Sequence, residues 1–210
     1  MTEDEAIAQL TQRLNVPRET ISALRHVADL IMTENRNQNL IASGTEASIW
    51  ERHILDSAQL LLLVRACDGT WLDVGTGAGF PGLVLAVMTQ SEHVFVERRA
   101  KRAEFLRAAA ATLSISSRVR VVQRSVEQLR EVPVEIITAR AVMSLNAILE
   151  ATRHLADRST TWLLHKGRNA RFEVDVAAAV WNADFEMLPS ITASDAAIVR
   201  VRNFTGRVAR

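Results

Sequence analysis

One glycine-rich segment constrains this chain more than any other: Leu72-Asp73-Val74-Gly75-Thr76-Gly77-Ala78-Gly79-Phe80-Pro81-Gly82. Four of the eight glycines fall between Gly75 and Gly82. An apolar run precedes the segment at 71–74, and a helical pattern follows near 81–90. Glycines between a strand and a helix let the backbone turn tightly and approach a ligand. The helix N-terminus adds unpaired N–H groups at the same place. The segment therefore reads as the ligand-binding turn of an α/β unit.

The rest of the chain supplies the sheet that such a turn needs. Short apolar runs recur at 94–96, 119–122, 135–138 and 161–164, separated by helical patterns near 100–113, 144–155 and 169–181. This alternation predicts βαβ units with helices covering a parallel sheet. Two runs near the end, 185–188 and 198–204, have little helix between them and predict an antiparallel edge pair. The first 68 residues read as helical. Thr2 and Glu5 form a capping box, Pro17 starts a second helix, and Thr45 caps a third that runs through Trp50 and Ile54 until Asp68-Gly69. The expected organisation is a helical cap at 1–68 and one compact ligand-binding unit at 69–210.

Spacing and charge narrow the ligand. A dinucleotide fingerprint needs G-x-G-x-x-G, but here Gly79 comes one residue early and Phe80 takes the third place. Asp73 beside the first glycine would repel a pyrophosphate and suits a cation. S-adenosylmethionine carries a sulfonium and an ammonium and has no phosphate, so the charge favours it. Glu97 lies 22 positions after Gly75, at the end of the next strand, where a carboxylate can accept from both ribose hydroxyls. In the following unit, Val126 and Glu127 come where an adenine ring would lie.

Composition excludes other classes. The 48% hydrophobic and 23% charged content is that of a globular chain. One cysteine, Cys67, excludes a disulfide framework and a multi-cysteine zinc site, and the histidines lack metal spacing, so no metal is expected. The acidic start Met-Thr-Glu-Asp-Glu lacks a signal-peptide pattern, and no stretch suits a membrane span. A cytoplasmic protein is expected. The net charge of +1 argues against a general nucleic-acid binder, but its layout is uneven. Residues 1–70 carry 6 basic and 10 acidic groups, whereas residues 151–210 carry 9 and 6. The cluster Arg98-Arg99-Lys101-Arg102 begins beside Glu97, so a local basic surface can meet nucleic acid there. Only two of the 25 basic residues are lysines, Lys101 and Lys166.

The ordered set of short motifs resembles the glucose-inhibited division protein B family of small-subunit rRNA methyltransferases. The matching pieces are Asn39-Leu40, Arg52-His53-Ile54-Leu55-Asp56-Ser57, the segment from Asp73 to Gly82, and Lys101-Arg102 with Phe105-Leu106. Arg140-Ala141 with Ser144-Leu145, and then Lys166-Gly167, complete the set. Two neighbours depart from the family pattern: Ile41 stands where Thr is common, and Ala139 where Ser is common. The resemblance implies a class I methyltransferase fold, an α/β Rossmann-like sheet. That sheet would be mostly parallel, with an antiparallel C-terminal strand pair and an N-terminal helical cap. It further implies S-adenosyl-L-methionine as cofactor, and N7 of a guanine in the 530-loop region of 16S rRNA as target. The RNA partner would be the small ribosomal subunit or an assembly particle, with no obligate protein partner and a monomeric enzyme. Carried over residue by residue, Gly75, Phe80, Val126, Glu127 and Arg140 would bind the cofactor with Glu97 at the ribose position, and the charge and loop readings above add Asp73 and Gly77. From their positions at the ligand edge of the sheet, Arg140 and Lys166 are expected to serve catalysis, and Arg98, Lys101, Arg102 and Lys166 to contact RNA.

That chemistry suits the residues. Guanine N7 has an in-plane lone pair and no proton, so its methylation needs no general base. Cys67 precedes the first strand, and no two prolines are adjacent, so neither a cysteine nucleophile nor an Asn-Pro-Pro-aromatic loop is available. His53 and Asp56, three apart on a helix, read as a polar pair packed over the glycine loop as part of a lid. A methyltransferase for another RNA nucleotide or a small molecule, and a non-catalytic ribosome-assembly binder, remain the alternatives.

Overall fold

The computed structural model of this chain describes residues 1–64, 69–130 and 134–208. Cys67 and the expected helix end at Asp68 lie outside the described residues.

The N-terminal helices begin where their residues dictate. The Glu5 N–H donates to Thr2 Oγ1 (3.2 Å) and the Thr2 N–H donates back to Glu5 Oε2 (2.8 Å), starting helix α1, Glu3–Leu14. Helix α2, Arg18–Gln38, follows Pro17 and buries Ile21, Leu24, Val27, Ala28 and Ile31 on one face. It continues through the polar stretch that interrupts the apolar stripe, where Asn35 is buried and bonded at both ends of its amide. Its Oδ1 accepts from the Ile41 N–H (2.8 Å) and its Nδ2 donates to Glu46 Oε1 (2.5 Å). Removing that acceptor strands a buried N–H, which costs about 2 kcal/mol. Asn35→Ala is therefore expected to lower the melting temperature by about 4–8 °C. An unchanged melting curve would show that the chain at 39–42 is held by something else.

The sequence predicts one regular third helix, but the winding changes along it. A 3₁₀ turn at Ser43–Ser48 leads into a π-helical turn at Trp50–Leu55, a short α3 at Asp56–Ala58 and a second 3₁₀ turn at Gln59–Leu63. π turns recur at functional sites. This one buries Trp50, Ile54 and Leu55 and, with Asp56 at the start of α3, presents His53 to Arg140 at the end of β4.

The sheet has seven strands: β1 Trp71–Val74, β2 His93–Val96, β3 Val119–Val122, β4 Ile136–Arg140, β5 Thr161–Lys166, β6 Trp181–Pro189 and β7 Ala197–Arg207. Their spatial order is β3-β2-β1-β4-β5-β7-β6. The first five are parallel, and β7 runs antiparallel between β5 and β6. Helix α4 (Gly82–Met88), α5 (Ala100–Thr112), α6 (Leu145–Thr152) and α7 (Ala170–Ala178) connect them. The predicted helix at 169–181 ends sooner, since Trp181 already belongs to β6. Its indole is buried and donates to Asn146 Oδ1 (2.6 Å).

The pleat sorts the core into two layers. Phe95 packs with α1, α2, α4 and α5, while Leu72, Val74, Val94 and Val96 pack with α6 and α7. Strand order reverses at β1, with β2 on one side and β4 on the other. In open α/β sheets the crevice beyond the strand ends at such a point takes the ligand.

Candidate cofactor and RNA site

A cavity of about 840 Å³ opens at that point. Its floor is the glycine loop, its far walls are the ends of β2 and β4, and the chain at 40–42 with His53 closes the cap side. The volume falls within the range that encloses a small-molecule cofactor, roughly 300–1,000 Å³.

The loop keeps its shape through its glycines and one carboxylate. Gly75 has φ +68°, and a Cβ there would sit 2.6 Å from Val142 Cγ2. Glu97, 6% exposed at the end of β2, ties the loop to the sheet. Its Oε2 accepts from the Gly77 N–H (3.0 Å) and its Oε1 from the Arg99 N–H (2.8 Å). A carboxylate has about four lone-pair sites, so both oxygens retain acceptor capacity toward the cavity. Val126 is buried in the opposite wall, with Glu127 exposed beside it.

Asp73 departs from the reading given it. It does not line the cavity and is 2% exposed. Within β1 the pleat turns it away from Leu72 and Val74, toward α4. Its Oδ1 accepts from Thr138 Oγ1 (2.8 Å) and its Oδ2 from the Gly82 N–H (3.1 Å). Asp73 thus joins β1 to β4 and to the start of α4 behind the loop. Burial pushes its carboxyl up to about 6, only partly opposed by these hydrogen bonds. A raised native pKa stabilises the fold below the unfolded value near 3.8 and loses that contribution as pH rises through about 6. Asp73→Asn is therefore expected to remove a decline in unfolding free energy, of about 2 kcal/mol, between pH 4 and pH 7. Equal pH dependence in the wild type and the variant, by urea unfolding, would count against this.

Arg140 joins the cap to the site. Its Nη1 donates to the Arg52 carbonyl (2.9 Å) and to Asp56 Oδ2 (3.1 Å), and its Nη2 donates to His53 Nδ1 (2.7 Å). A guanidinium can only donate, so His53 Nδ1 is unprotonated and its proton sits on Nε2, 3.0 Å from Thr45 Oγ1. Burial, aided by the Arg140 charge, lowers His53 to about 4 and keeps it neutral. Burial also draws the Arg140 pKa down, with Asp56 opposing. The His53 ring stacks on Phe80 at 4.8 Å and 19°, and the guanidinium lies 5.2 Å from the same ring. Asp56 Oδ1 accepts from Gln59 Nε2 (2.8 Å) and Thr192 Oγ1 (2.7 Å), which adds the β6–β7 turn to the network. The Nε and the second Nη2 hydrogen of Arg140 have no partner among the described residues, and Arg140 lines the cavity.

Lys166 is the second departure. It is absent from the cavity wall. Its Nζ donates to the Met143 carbonyl (2.8 Å) and pairs with Glu173 Oε2 (2.9 Å), leaving its side chain 9% exposed. Glu173 also accepts from the Leu145 N–H. Lys166 therefore holds the 141–145 loop in place behind the cavity wall. Its place at the end of β5 is as expected, but its partner in α7 has no signature in sequence. Arg98 and Arg102 lie on the rim, and Lys101 is exposed next to them. The rim also holds Ala141, named above only as part of a motif, and Val142, which no motif marked. Ala141, at φ +54°, turns the chain after Arg140, and Val142 packs over Gly75.

Comparison with known proteins fixes the relationship. The family model described as rRNA small subunit methyltransferase G matches residues 20–199. The chain belongs to that family. The ribosomal RNA small subunit methyltransferase G of Rhizorhabdus wittichii is 42% identical over 201 residues, covering 95% of this chain and 92% of the relative. That of Cereibacter sphaeroides strain ATCC 17025 is 41% identical, covering 96% and 98%. Among solved structures, a cofactor-bound protein from MTB has a TM-score of 0.67 at 15% identity, covering 98% of this chain and 99% of its own. The O-methyltransferase from Bacillus cereus in complex with SAH has a TM-score of 0.61 at 17% identity, covering 94% and 97%. The family thus shares the class I methyltransferase fold.

Proposed function

We propose that this chain transfers a methyl group from S-adenosylmethionine to N7 of one guanine in the 530-loop region of 16S rRNA. Family membership carries the reaction and the RNA substrate class. The structural observation that carries the cofactor is Glu97. Its carboxylate is fixed by two backbone N–H groups at the edge of a cavity of cofactor size.

The donor set suits the cofactor. Glu97 would accept the ribose hydroxyls, Val126 and Glu127 would flank the adenine, and Gly75 and Gly77 would let the backbone come close. The two uncommitted N–H groups of Arg140 would take the carboxylate, with Phe80 backing Arg140 and His53. S-adenosylmethionine supplies an electrophilic methyl when bound. The chain's own contribution is positioning: the loop, Glu97 and Arg140 hold one partner while the rim holds the other. Alignment of reacting groups and fixed dipoles can supply most of the rate for a step that needs no proton transfer.

The RNA would lie across Arg98, Lys101 and Arg102, in the small subunit or an assembly particle, with the enzyme a cytoplasmic monomer. No helix among the described residues is long and apolar enough to cross a membrane. The helical cap at 1–68 would close the cofactor side of the cavity through Leu40, Ile41 and His53. Labelled methyl transfer from S-adenosylmethionine to small subunits that lack the modification tests this reading. Label should enter 16S rRNA, whereas cofactor binding without transfer would favour a non-catalytic assembly role.

A further inference from the structure

One face of α7 lacks a partner among the described residues. The helix buries Ala170 and Ala177, packs Val174 partly into the core, and turns Phe172 and Val176 outward. Phe172 is 70% exposed, the most exposed large apolar side chain among the described residues. The next turn of the helix adds Val176, four residues on.

The position of this face ties it to the site. Strand β5 is parallel to β4 and pairs His165 with Arg140, so the chain leaves β5 at the same edge as the cavity. Helix α7 starts four residues after Lys166. Glu173, next to Phe172, reaches the Lys166 ammonium and the Leu145 N–H, and Met143 of that loop lines the cavity. Two arginines are close to Phe172 in sequence, Arg168 just before the helix and Arg171 beside it on the helix. Arg168 is 85% exposed and pairs with exposed Asp195 (2.8 Å), and Arg171 is 78% exposed and pairs with Asp175 (3.6 Å). Exposed pairs of this kind are worth little, so a phosphate can take either cation.

We propose that Arg168, Arg171 and Phe172 form a second RNA-contact surface, on which an unpaired base of the substrate stacks against Phe172. The proposal rests on the rRNA methyltransferase reading. An aromatic face with cations close to it in the chain suits single-stranded nucleotides, because every base offers a π-face and every linkage a phosphate. Arg98 and Arg102 line the cavity itself, so this surface would add a second hold on the RNA beyond the cavity wall. A structured loop could then be held at two points while one guanine enters.

Steady-state methylation of small subunits by the full chain, with Phe172→Ala, Phe172→Leu and Phe172→Trp, tests the surface. Filter binding of the same proteins to protein-free 16S rRNA runs in parallel. Phe172→Ala is expected to raise KM for subunits and Kd for the rRNA about tenfold. Phe172→Leu should fail alike, while Phe172→Trp should restore both. S-adenosylmethionine affinity and melting temperature should stay at wild-type values, since Phe172 touches neither the cavity nor the core. Wild-type behaviour of Phe172→Ala in both assays overturns the proposal. So does full rescue by Phe172→Leu, or an effect on subunits without one on bare rRNA; both point to an apolar protein contact. Failure of the wild type to methylate 16S rRNA would instead overturn the functional reading, and the binding assay still judges the surface.

Discussion

Arg140→Ala should reduce kcat by about a hundredfold or more, and lower stability in the same variant. The guanidinium donates to Asp56, His53 and the Arg52 carbonyl from one partly buried position. Removing it leaves Asp56, whose side chain is 15% exposed, without a cation on Oδ2. Breaking such a pair costs on the order of 3–5 kcal/mol. It also leaves His53 Nδ1 without a donor and frees the ring stacked on Phe80, so the cap loses its anchor on the glycine loop. Arg140→Lys should recover only a fraction. An ammonium cannot bridge three acceptors in one plane as the guanidinium does. Titration calorimetry with S-adenosylmethionine, thermal melting and single-turnover methylation separate the effects. Arg140→Ala with kcat within about threefold of wild type would remove the residue from the positioning role given it here.

Glu97→Ala should abolish measurable cofactor binding. The substitution removes the proposed ribose acceptor and the anchor of two backbone N–H groups, at Gly77 and Arg99. Hydrogen bonds to a charged acceptor are worth about 1.5–3 kcal/mol each. Loss of two to the ribose alone weakens binding by about a hundredfold to ten-thousandfold. Glu97→Gln retains one acceptor oxygen and should lose less. The loop anchor also explains why even Glu97→Asp should be impaired: the shorter side chain cannot reach Gly77 and the ribose together. Near wild-type affinity in Glu97→Ala would place the cofactor elsewhere.

Particular residues show how far the sequence could be read. The glycine loop, the alternating strands and Glu97 were legible because each is local: a turn, a period of two, a fixed spacing from Gly75. The antiparallel pair at the C-terminus was legible from the missing helix between its strands. Asp73 was misplaced because the residue type was read without the pleat. Its neighbours Leu72 and Val74 share one core layer, so a residue between them must face the other, where Gly82 waits. Lys166 ends its strand as expected, but its partner, Glu173, is supplied by the next helix, and no rule of spacing pairs the end of a strand with a helix turn. The triangle of His53, Phe80 and Arg140 draws on three separate segments and exists only after folding. The change of winding between Ser43 and Leu63 leaves no local trace in the residues that adopt it. Phe172 stood in plain view on the outer face of a predicted helix, and a helical wheel over 169–181 would have marked it.

The most direct test of the central claim is the identity and position of the methylated base. Small subunits lacking the modification are incubated with the enzyme and S-adenosylmethionine. Their 16S rRNA is then reduced with borohydride and cleaved with aniline, which cuts at 7-methylguanosine. The account predicts one new cleavage, within the 530 loop, that depends on Arg140 and Glu97. Methyl label in an exocyclic amine, a pyrimidine carbon or a ribose, or a cleavage outside that loop, would contradict it.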